Sequence, residues 1–158
     1  MKFMFCEAAM FNQPIGSWDT SLVANMQWMF SSASIFNQPI DSWNTSLATD
    51  MDSMFHQAAF FNRQIGSCDT SFIKYMVFMF NQTGMFNQPT YYWDTSLVKD
   101  MRSMFRQVEM FNQCIGTWAN KTPSDVTVIN MFLGSNCANG GGDPDPSSGP
   151  WCQNDIGQ

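Results

Sequence analysis

Charged side chains are scarce in this chain, and its basic residues form no cluster. Only 13% of the 158 residues are Asp, Glu, Lys or Arg, against about 25% in ordinary globular chains. The seven basic residues are scattered, and the net charge is −6. A nucleic-acid partner needs a basic surface, so we exclude nucleic acid, and an anionic membrane surface is disfavoured for the same reason.

Groups that perform catalysis or hold metals are also few. The single histidine, His56, occupies a repeat position that elsewhere holds Ser31, Asn81 and Arg106. The sequence has no C-x-x-C spacing, no nucleophile motif and no paired carboxylates of the catalytic kind. We therefore expect no catalytic residue, no metal site and no cofactor, and we expect that the protein is not an enzyme.

Long hydrophobic runs are missing, and the cysteine count is odd. No run approaches the ~20 apolar residues that span a bilayer, so we expect no transmembrane segment. Five cysteines exclude a fully paired disulfide framework. Cys137 and Cys152 flank a Gly/Pro-rich loop and are a possible disulfide, which would indicate an oxidising compartment.

What the chain does have is an internal repeat with a period of 25 residues. Phe and Met recur at fixed positions, and the string FNQ returns once per repeat with one interruption. We number a repeat position by the residue of the first coil. Position 4 then holds Met4, Met29, Met54, Met79 and Met104, and position 18 holds Trp18, Trp43, Cys68, Trp93 and Trp118. Such regularity predicts five structural units that stack on one another.

Within one repeat, the pattern predicts one short helix and one short strand. Asp19, Thr20 and Ser21 resemble a helix N-cap. The apolar residues that follow at helical spacing are expected on one buried face of the helix, and they are Leu22, Met26, Met29, Phe30 and Ala33. We predict a helix over about residues 22–32 and a short strand at residues 40–43, which pairs with the next coil. The expected fold is an α/β solenoid, leucine-rich-repeat-like, with five coils and a parallel strand ladder.

Two polar columns fit a stack of this kind. The column Asn12, Asn37, Asn62, Asn87 and Asn112 is expected to satisfy buried backbone groups at the bend, with ligand binding as the alternative. The column Asp19, Asn44, Asp69 and Asp94 is expected to cap the helices, with a calcium ladder as the alternative.

The pattern M-x-x-M-F-x-x-A-x-x-F-N-Q-x-I-x-x-W-D-T-S-x-V, most complete over residues 1–23, resembles the BspA-type leucine-rich-repeat surface proteins. Their repeat was first catalogued as a mycoplasma domain of unknown function. The resemblance covers residues 1 to about 118. It implies a solenoid and, in bacterial members, display on the cell surface, adhesion and protein binding. It brings no catalytic residues.

The two ends depart from the repeat. We divide the chain into residues 1–135, the repeat solenoid with a C-terminal capping unit, and residues 136–158, a Gly/Pro-rich loop or tail. The first coil opens in mid-repeat without a polar cap, so we expect more chain or another subunit to cover it.

Exposed apolar residues that break the period are the candidate partner-binding residues. Position 3 holds either an aromatic residue or serine. Apolar or aromatic residues also break the period at positions next to it and in the part of the coil predicted as strand. The candidates are Phe3, Trp28, Tyr75, Val77, Phe78, Tyr91 and Tyr92. For position 3 the alternative is a ring that lies flat over its neighbour.

These observations favour a non-catalytic scaffold that binds a protein partner or surface, as an extracellular or cell-surface adhesion module. The alternative is a structural or linker subunit of a larger intracellular or organellar assembly, which low charge and exposed aromatics also favour.

Overall fold

The protein forms a stack of coils in register, each one repeat long. The computed structural model describes residues 1–137, 142–149 and 151–152. The Met26 N–H donates to the carbonyl of Asp50 at 3.0 Å, and the Met51 N–H donates to Tyr75 at 3.1 Å. Isolated parallel bridges join the successive residues Asn25, Asp50, Tyr75, Asp100 and Thr127. The sequence period therefore appears in space as one turn of the stack.

The predicted α/β architecture is wrong. Over the described residues, the only regular helix is a short 3-10 helix, Gly116–Trp118, and the parallel pairing consists of single bridges rather than strands. The molecule is therefore not a leucine-rich-repeat-like α/β solenoid, since each coil lacks both the expected helix and the expected strand.

The segment predicted as helix, residues 22–32, contains a run of tight turns. The N–H groups of Met29 and Ser31 donate three residues back, to Met26 and Trp28 at 3.3 Å each. The alternate N–H groups leave the coil: Trp28 donates to Asp52 at 3.0 Å, and Phe30 donates to Met54 at 2.9 Å. An α-helix would need these donors for carbonyls four residues back. The neighbouring coil takes them instead.

This run of turns requires a left-handed backbone at two positions of every coil. In the second coil Trp28 has φ 56° and Ser32 has φ 59°, and each is the third residue of a turn, where type II turns need positive φ. The left-handed conformation costs an L-residue on the order of 1–2 kcal/mol. Hydrogen bonds between coils offset this cost, so the local conformation depends on the stack.

The predicted strand at residues 40–43 is also a turn. The Trp43 N–H donates to Ile40 at 3.1 Å, while the indole Nε1 of Trp43 donates to the carbonyl of Ile15 at 3.0 Å in the previous coil. Both side chains are buried. The segment is thus held to its neighbour through a side chain and not through a strand ladder.

The core consists of aromatic and methionine columns that run along the stack. The ring of Phe30 stacks on Phe36 in its own coil at 4.0 Å between centroids, and on Phe55 in the next coil at 5.6 Å. The methionines of position 4 pack beside them and are buried from Met29 onward. Aromatic pairs contribute about 0.5–1.5 kcal/mol beyond their burial, so each coil is stabilised by its neighbours.

The asparagine column satisfies the backbone at the bend, as predicted. The Oδ1 atom of Asn12 accepts the N–H of Asn37 at 2.9 Å, and Asn37 accepts the N–H of Asn62 at 3.0 Å. The same contact joins Asn62 to Asn87 and Asn87 to Asn112. The column therefore supplies one side-chain link at every junction between coils.

The Asp column makes the local contact of a cap, although no helix follows it. Asp19 Oδ1 accepts the N–H of Ser21 at 2.9 Å, and Asp69 accepts the N–H of Ser71 at 3.0 Å. Hydrogen bonds from Ser21 and Ser71 lower the pKa of both carboxyl groups. These residues form Asx turns.

The C-terminal unit closes the last coil. Cys137 and Cys152 form a disulfide with Cα atoms 5.2 Å apart. The Ile115 N–H donates to the carbonyl of Cys152 at 3.0 Å, and Trp151 packs edge-on against Trp118. Part of the predicted loop or tail, residues 136–158, lies outside the described residues.

In the first coil, side chains at repeat positions that are buried in later coils are exposed. Trp18 is 38% exposed, whereas Trp43 is 5% exposed at the same repeat position. Met4 is likewise exposed, whereas Met29 is fully buried. The expectation that another segment or subunit covers this coil stays a prediction.

Candidate binding surfaces

Four rings form a surface row, the aromatic column, which consists of Phe3, Trp28, His56 and Phe78. Phe3 stacks on Trp28 at 6.1 Å between centroids, Trp28 meets His56 edge-on at 6.1 Å, and His56 lies 6.3 Å from Phe78. Phe3, Trp28 and Phe78 are all exposed. Their rings thus lie against neighbouring rings and still present a continuous aromatic edge.

Ser53 occupies repeat position 3 between Trp28 and Phe78, and a groove lies there beside the aromatic column. The Ser53 side chain is small where the coils on either side have Trp28 and Phe78. This Ser53 groove is an open depression of about 280 Å³ between these two rings. His56, Asn81 and Arg106 also line it.

His56 presents a fixed tautomer to the groove. Its Nδ1 atom lies 3.2 Å from the carbonyl oxygen of Asn81, so Nδ1 carries the hydrogen and donates. Burial lowers the pKa of the imidazole, which favours the neutral ring. In that form Nε2 is a hydrogen-bond acceptor.

Two donors beside the groove have no partner among the described residues. Asn81 is 2% exposed, and no described acceptor lies within hydrogen-bond distance of its Nδ2 atom. The Nε atom of Arg106 is also buried without an acceptor in this part of the chain. An unsatisfied buried donor costs about 1–3 kcal/mol, so these two donors lower the stability of the stack locally.

A line of amide side chains runs along the stack beside the groove. Gln57 Nε2 donates to Gln82 Oε1 at 2.6 Å, and Gln82 Nε2 donates to Gln107 Oε1 at 2.7 Å. Ser32 Oγ donates to Gln57 at 3.1 Å. Each amide keeps one N–H and one oxygen lone pair for other partners, so this glutamine row offers donors and acceptors once per coil.

Tyr75 and Val77 lie near a partly buried carboxylate. Tyr75 is exposed and Val77 is half-buried. The Val77 N–H donates to Asp52 Oδ1 at 2.7 Å. The pKa of Asp52 is raised to about 6, mainly by burial and in smaller part by the charges of Asp50 and Asp100, although the Val77 hydrogen bond lowers it.

Tyr91 and Tyr92 form a separate patch. Their ring centroids are 4.2 Å apart, and Tyr92 is 73% exposed. Within the described part of the chain, no aromatic contact joins this pair to the aromatic column. The structure therefore brings Phe3, Trp28 and Phe78 together and leaves the two tyrosines apart from them.

Sequence reasoning missed the most regular exposed surface. We expected Leu22 on the buried face of a helix, but it is 86% exposed. Two repeat positions place large apolar side chains outside the core in successive coils, and we call them the outer apolar columns. They are Met10, Ile35, Phe60, Met85 and Met110 at position 10, and Leu22, Leu47, Phe72 and Leu97 at position 22.

All of these side chains are exposed except Ile35, which is partly buried. Coils joined by parallel bridges lie about 4.8 Å apart, so each column is continuous along the stack. The sequence did contain a signal for this surface, because positions 10 and 22 stay apolar in successive coils. We assigned repeat positions that stay apolar to the core, and for these two positions that assignment is wrong.

Neither a metal-binding cluster nor a membrane-spanning helix occurs in the described residues. In residues 1–137, 142–149 and 151–152, no three His, Cys, Asp or Glu side chains form a group that could hold a metal ion. Across the same described residues, no helix is long and apolar enough to cross a membrane.

Comparison with known proteins identifies one family. The family model described as "Mycoplasma protein of unknown function, DUF285" matches residues 1–68 and 41–141. No curated protein and no solved structure matches the chain. The two matched segments together cover most of the sequence and include all five coils. The chain therefore belongs to this mycoplasma-type family of unknown function.

Proposed function

We propose that the protein is a non-catalytic scaffold that binds protein partners through its outer apolar columns. The observation that carries this proposal is the exposure of large apolar side chains at the same two positions in successive coils. Monomeric soluble proteins rarely expose continuous apolar patches larger than a few hundred Å². A partner that lies along the stack would bury the side chains of one column.

The period-breaking residues are further candidate contacts for a partner. They are Phe3, Trp28, Tyr75, Val77, Phe78, Tyr91 and Tyr92, and aromatic residues are frequent in interface hot spots. Only 13% of the residues are charged, so we expect binding that depends weakly on salt.

We place this scaffold outside the cell or on the cell surface, as an adhesion module of the BspA type. Two observations support this placement. The Cys137–Cys152 disulfide persists in oxidising compartments, and the repeat pattern resembles that of the surface proteins.

The alternative is a structural subunit of a larger intracellular or organellar assembly. Its support is the first coil, where Met4 and Trp18 are exposed although the same positions are buried in later coils. A neighbouring subunit packed on this coil would bury them.

The test begins with the native particle. Gentle extraction, size-exclusion chromatography and mass spectrometry of the fractions identify stable partners. With such a partner in hand, Phe60→Ser combined with Met85→Ser should weaken binding at least about tenfold, because both exposed anchors are lost. The matched control is Lys74→Ser with Lys99→Ser, which changes exposed polar residues in two coils.

The outcomes separate the two candidates. Co-elution in a large complex with constant stoichiometry favours the assembly subunit, whereas a free or surface-attached chain favours the adhesion module. Equal affinity of the Phe60/Met85 variant and its control would contradict the outer apolar columns as the binding surface.

A further inference from the structure

The Ser53 groove forms where repeat positions with variable residues meet. Position 4 keeps methionine and position 5 keeps phenylalanine in all five coils, because the core needs them. Position 3 changes among Phe, Trp and Ser, and position 6 changes among Cys, Ser, His, Asn and Arg. Stacking does not require this variation, so the residues at the groove are free to serve a ligand.

The groove also has hydrogen-bonding groups that the fold leaves unused. His56 Nε2 is an acceptor in the neutral ring. The amides of Gln57 and Gln82 add one N–H and one lone pair each. A ligand for this groove must both donate and accept at short intervals.

The backbone at the groove is not available for a peptide strand. Ser53 donates its N–H to the carbonyl of Val77 at 2.8 Å, and Phe78 donates to Arg102 at 3.0 Å. Strand addition needs free main-chain donors along an edge, and these donors are already used between coils. The charge argues against an anionic polymer, since Arg106 is the one cationic side chain along the groove and the net charge is −6.

We propose that the Ser53 groove binds a neutral linear carbohydrate, with the sugar chain running along the stack. Hydroxyl groups supply closely spaced donors and acceptors for His56 and the glutamine row. The apolar faces of the sugar rings pack against the exposed edges of Trp28 and Phe78. The glutamine row places one amide in each of three successive coils, which suits a polymer with a short, regular repeat.

This inference deepens the binding function proposed above, and it rests on that function by naming the ligand of one part of the surface. It uses none of the residues of the outer apolar columns. Failure of the protein-binding test and failure of the carbohydrate test are therefore distinguishable.

The test uses the full chain and four soluble probes: cellohexaose, chitohexaose, laminarihexaose and the anionic hexagalacturonate. Titration calorimetry and indole fluorescence report binding up to about 1 mM ligand, which detects millimolar or tighter dissociation constants. We expect at least one neutral hexasaccharide to bind and to displace the others, while hexagalacturonate does not bind.

Two matched variants test whether the ligand binds in the Ser53 groove. Ser53→Trp fills the groove and should reduce binding at least tenfold. Ser103→Trp introduces the same ring at the same repeat position outside the groove and should leave binding unchanged. Position 3 already accepts tryptophan at Trp28 with φ 56°, close to the 55° of Ser53 and the 53° of Ser103, so both variants fit the backbone.

A second pair of variants avoids any change of shape in the groove. Trp28→Ala removes one wall and should weaken binding about tenfold, whereas Ile129→Ala removes an exposed apolar side chain that does not line the groove and should not. No binding by any neutral probe, or equal binding by the Ser53→Trp and Ser103→Trp variants, would overturn the proposal.

Discussion

At the scale of single residues, Asp52 shows how the stack changes the chemistry of one side chain. Its carboxylate accepts the Val77 N–H but lies half-buried between coils, near Asp50 and Asp100. Burial raises the pKa of Asp52 from 3.8 to about 6, so the folded state binds this proton more tightly than the unfolded state does. Protonation of Asp52 therefore favours the folded state. This contribution to stability is fully present below pH 3.8 and is lost as the pH rises through 6.

We therefore expect Asp52→Asn to stabilise the protein at neutral pH. The side-chain amide keeps an oxygen that accepts the Val77 N–H, and the substitution removes the buried charge. The gain should be about 1 kcal/mol above pH 7, after a discount for solvent screening, and should vanish near pH 4. Urea unfolding at both pH values measures it.

The control for this prediction is Asp41→Asn, which changes a carboxylate that is exposed in the folded chain. It should show little difference between the two pH values. A gain for Asp52→Asn that is the same at pH 4 and pH 7 would show that the buried charge is not its cause.

At the scale of one element, the junction between two coils is the unit of stability. Each junction combines main-chain hydrogen bonds, stacked phenylalanines and one asparagine contact. Asn62 illustrates the last part. Its Oδ1 atom accepts the Asn87 N–H at 3.0 Å and the Gln88 Nε2 at 2.8 Å.

Asn62→Ala should therefore destabilise the protein by about 1–3 kcal/mol, because it leaves the Asn87 N–H without an acceptor. The matched control is Asn112→Ala at the end of the same column. Asn112 Oδ1 accepts no hydrogen bond from any described residue, so the cost should be less than half as large. Thermal or urea unfolding of the two variants decides the comparison, and equal losses would show that the contact between coils is not the source of the effect.

The element scale also shows what the sequence could predict. The period, the number of coils and the asparagine column follow from residues such as Asn37 and Asn62, because a repeated residue must meet its own copy. The prediction of a helix at residues 22–32 is wrong. Met26, Met29, Phe30 and Ala33 fall at helical spacing, but alternating turns bury the same residues.

A helix and this run of turns differ in the acceptors of their N–H groups, because alternate N–H groups here donate to the neighbouring coil. Trp28 and Ser32 have positive φ, which a helix excludes and which sequence patterns do not show for residues other than glycine. The exposed aromatics at Phe3, Trp28 and Phe78 were recognisable as breaks in the period. The groove was not, since it needs Ser53, His56 and Asn81 from adjacent coils.

At the scale of the whole molecule, the two ends of the stack differ. The C-terminal end is closed by Trp151 and by the Cys137–Cys152 disulfide, whereas the first coil leaves Met4 and Trp18 exposed. The disulfide encloses a separation of 15 residues. Its closure removes conformational freedom mainly from the unfolded chain.

Reduction, or Cys137→Ser with Cys152→Ser, should therefore lower the free energy of unfolding by about 2–4 kcal/mol. Cys114→Ser is the matched control, because Cys114 is free and exposed. Urea unfolding with and without reductant tests the prediction. Equal midpoints for the reduced and oxidised chains would mean that the cross-link does not hold the final coil.

The register of the stack restricts how the length of such a chain can change during evolution. Each coil offers the next one donors and acceptors at fixed positions, so an insertion of one residue shifts every partner that follows it. Whole periods are the increments that keep those partners aligned. The last unit takes two extra residues where the chain passes from Trp118 to Val126, and the bridge from Asp100 to Thr127 still forms. Gene duplication in whole repeats is therefore compatible with this architecture, and in this chain the two residues outside the period lie in the closing unit.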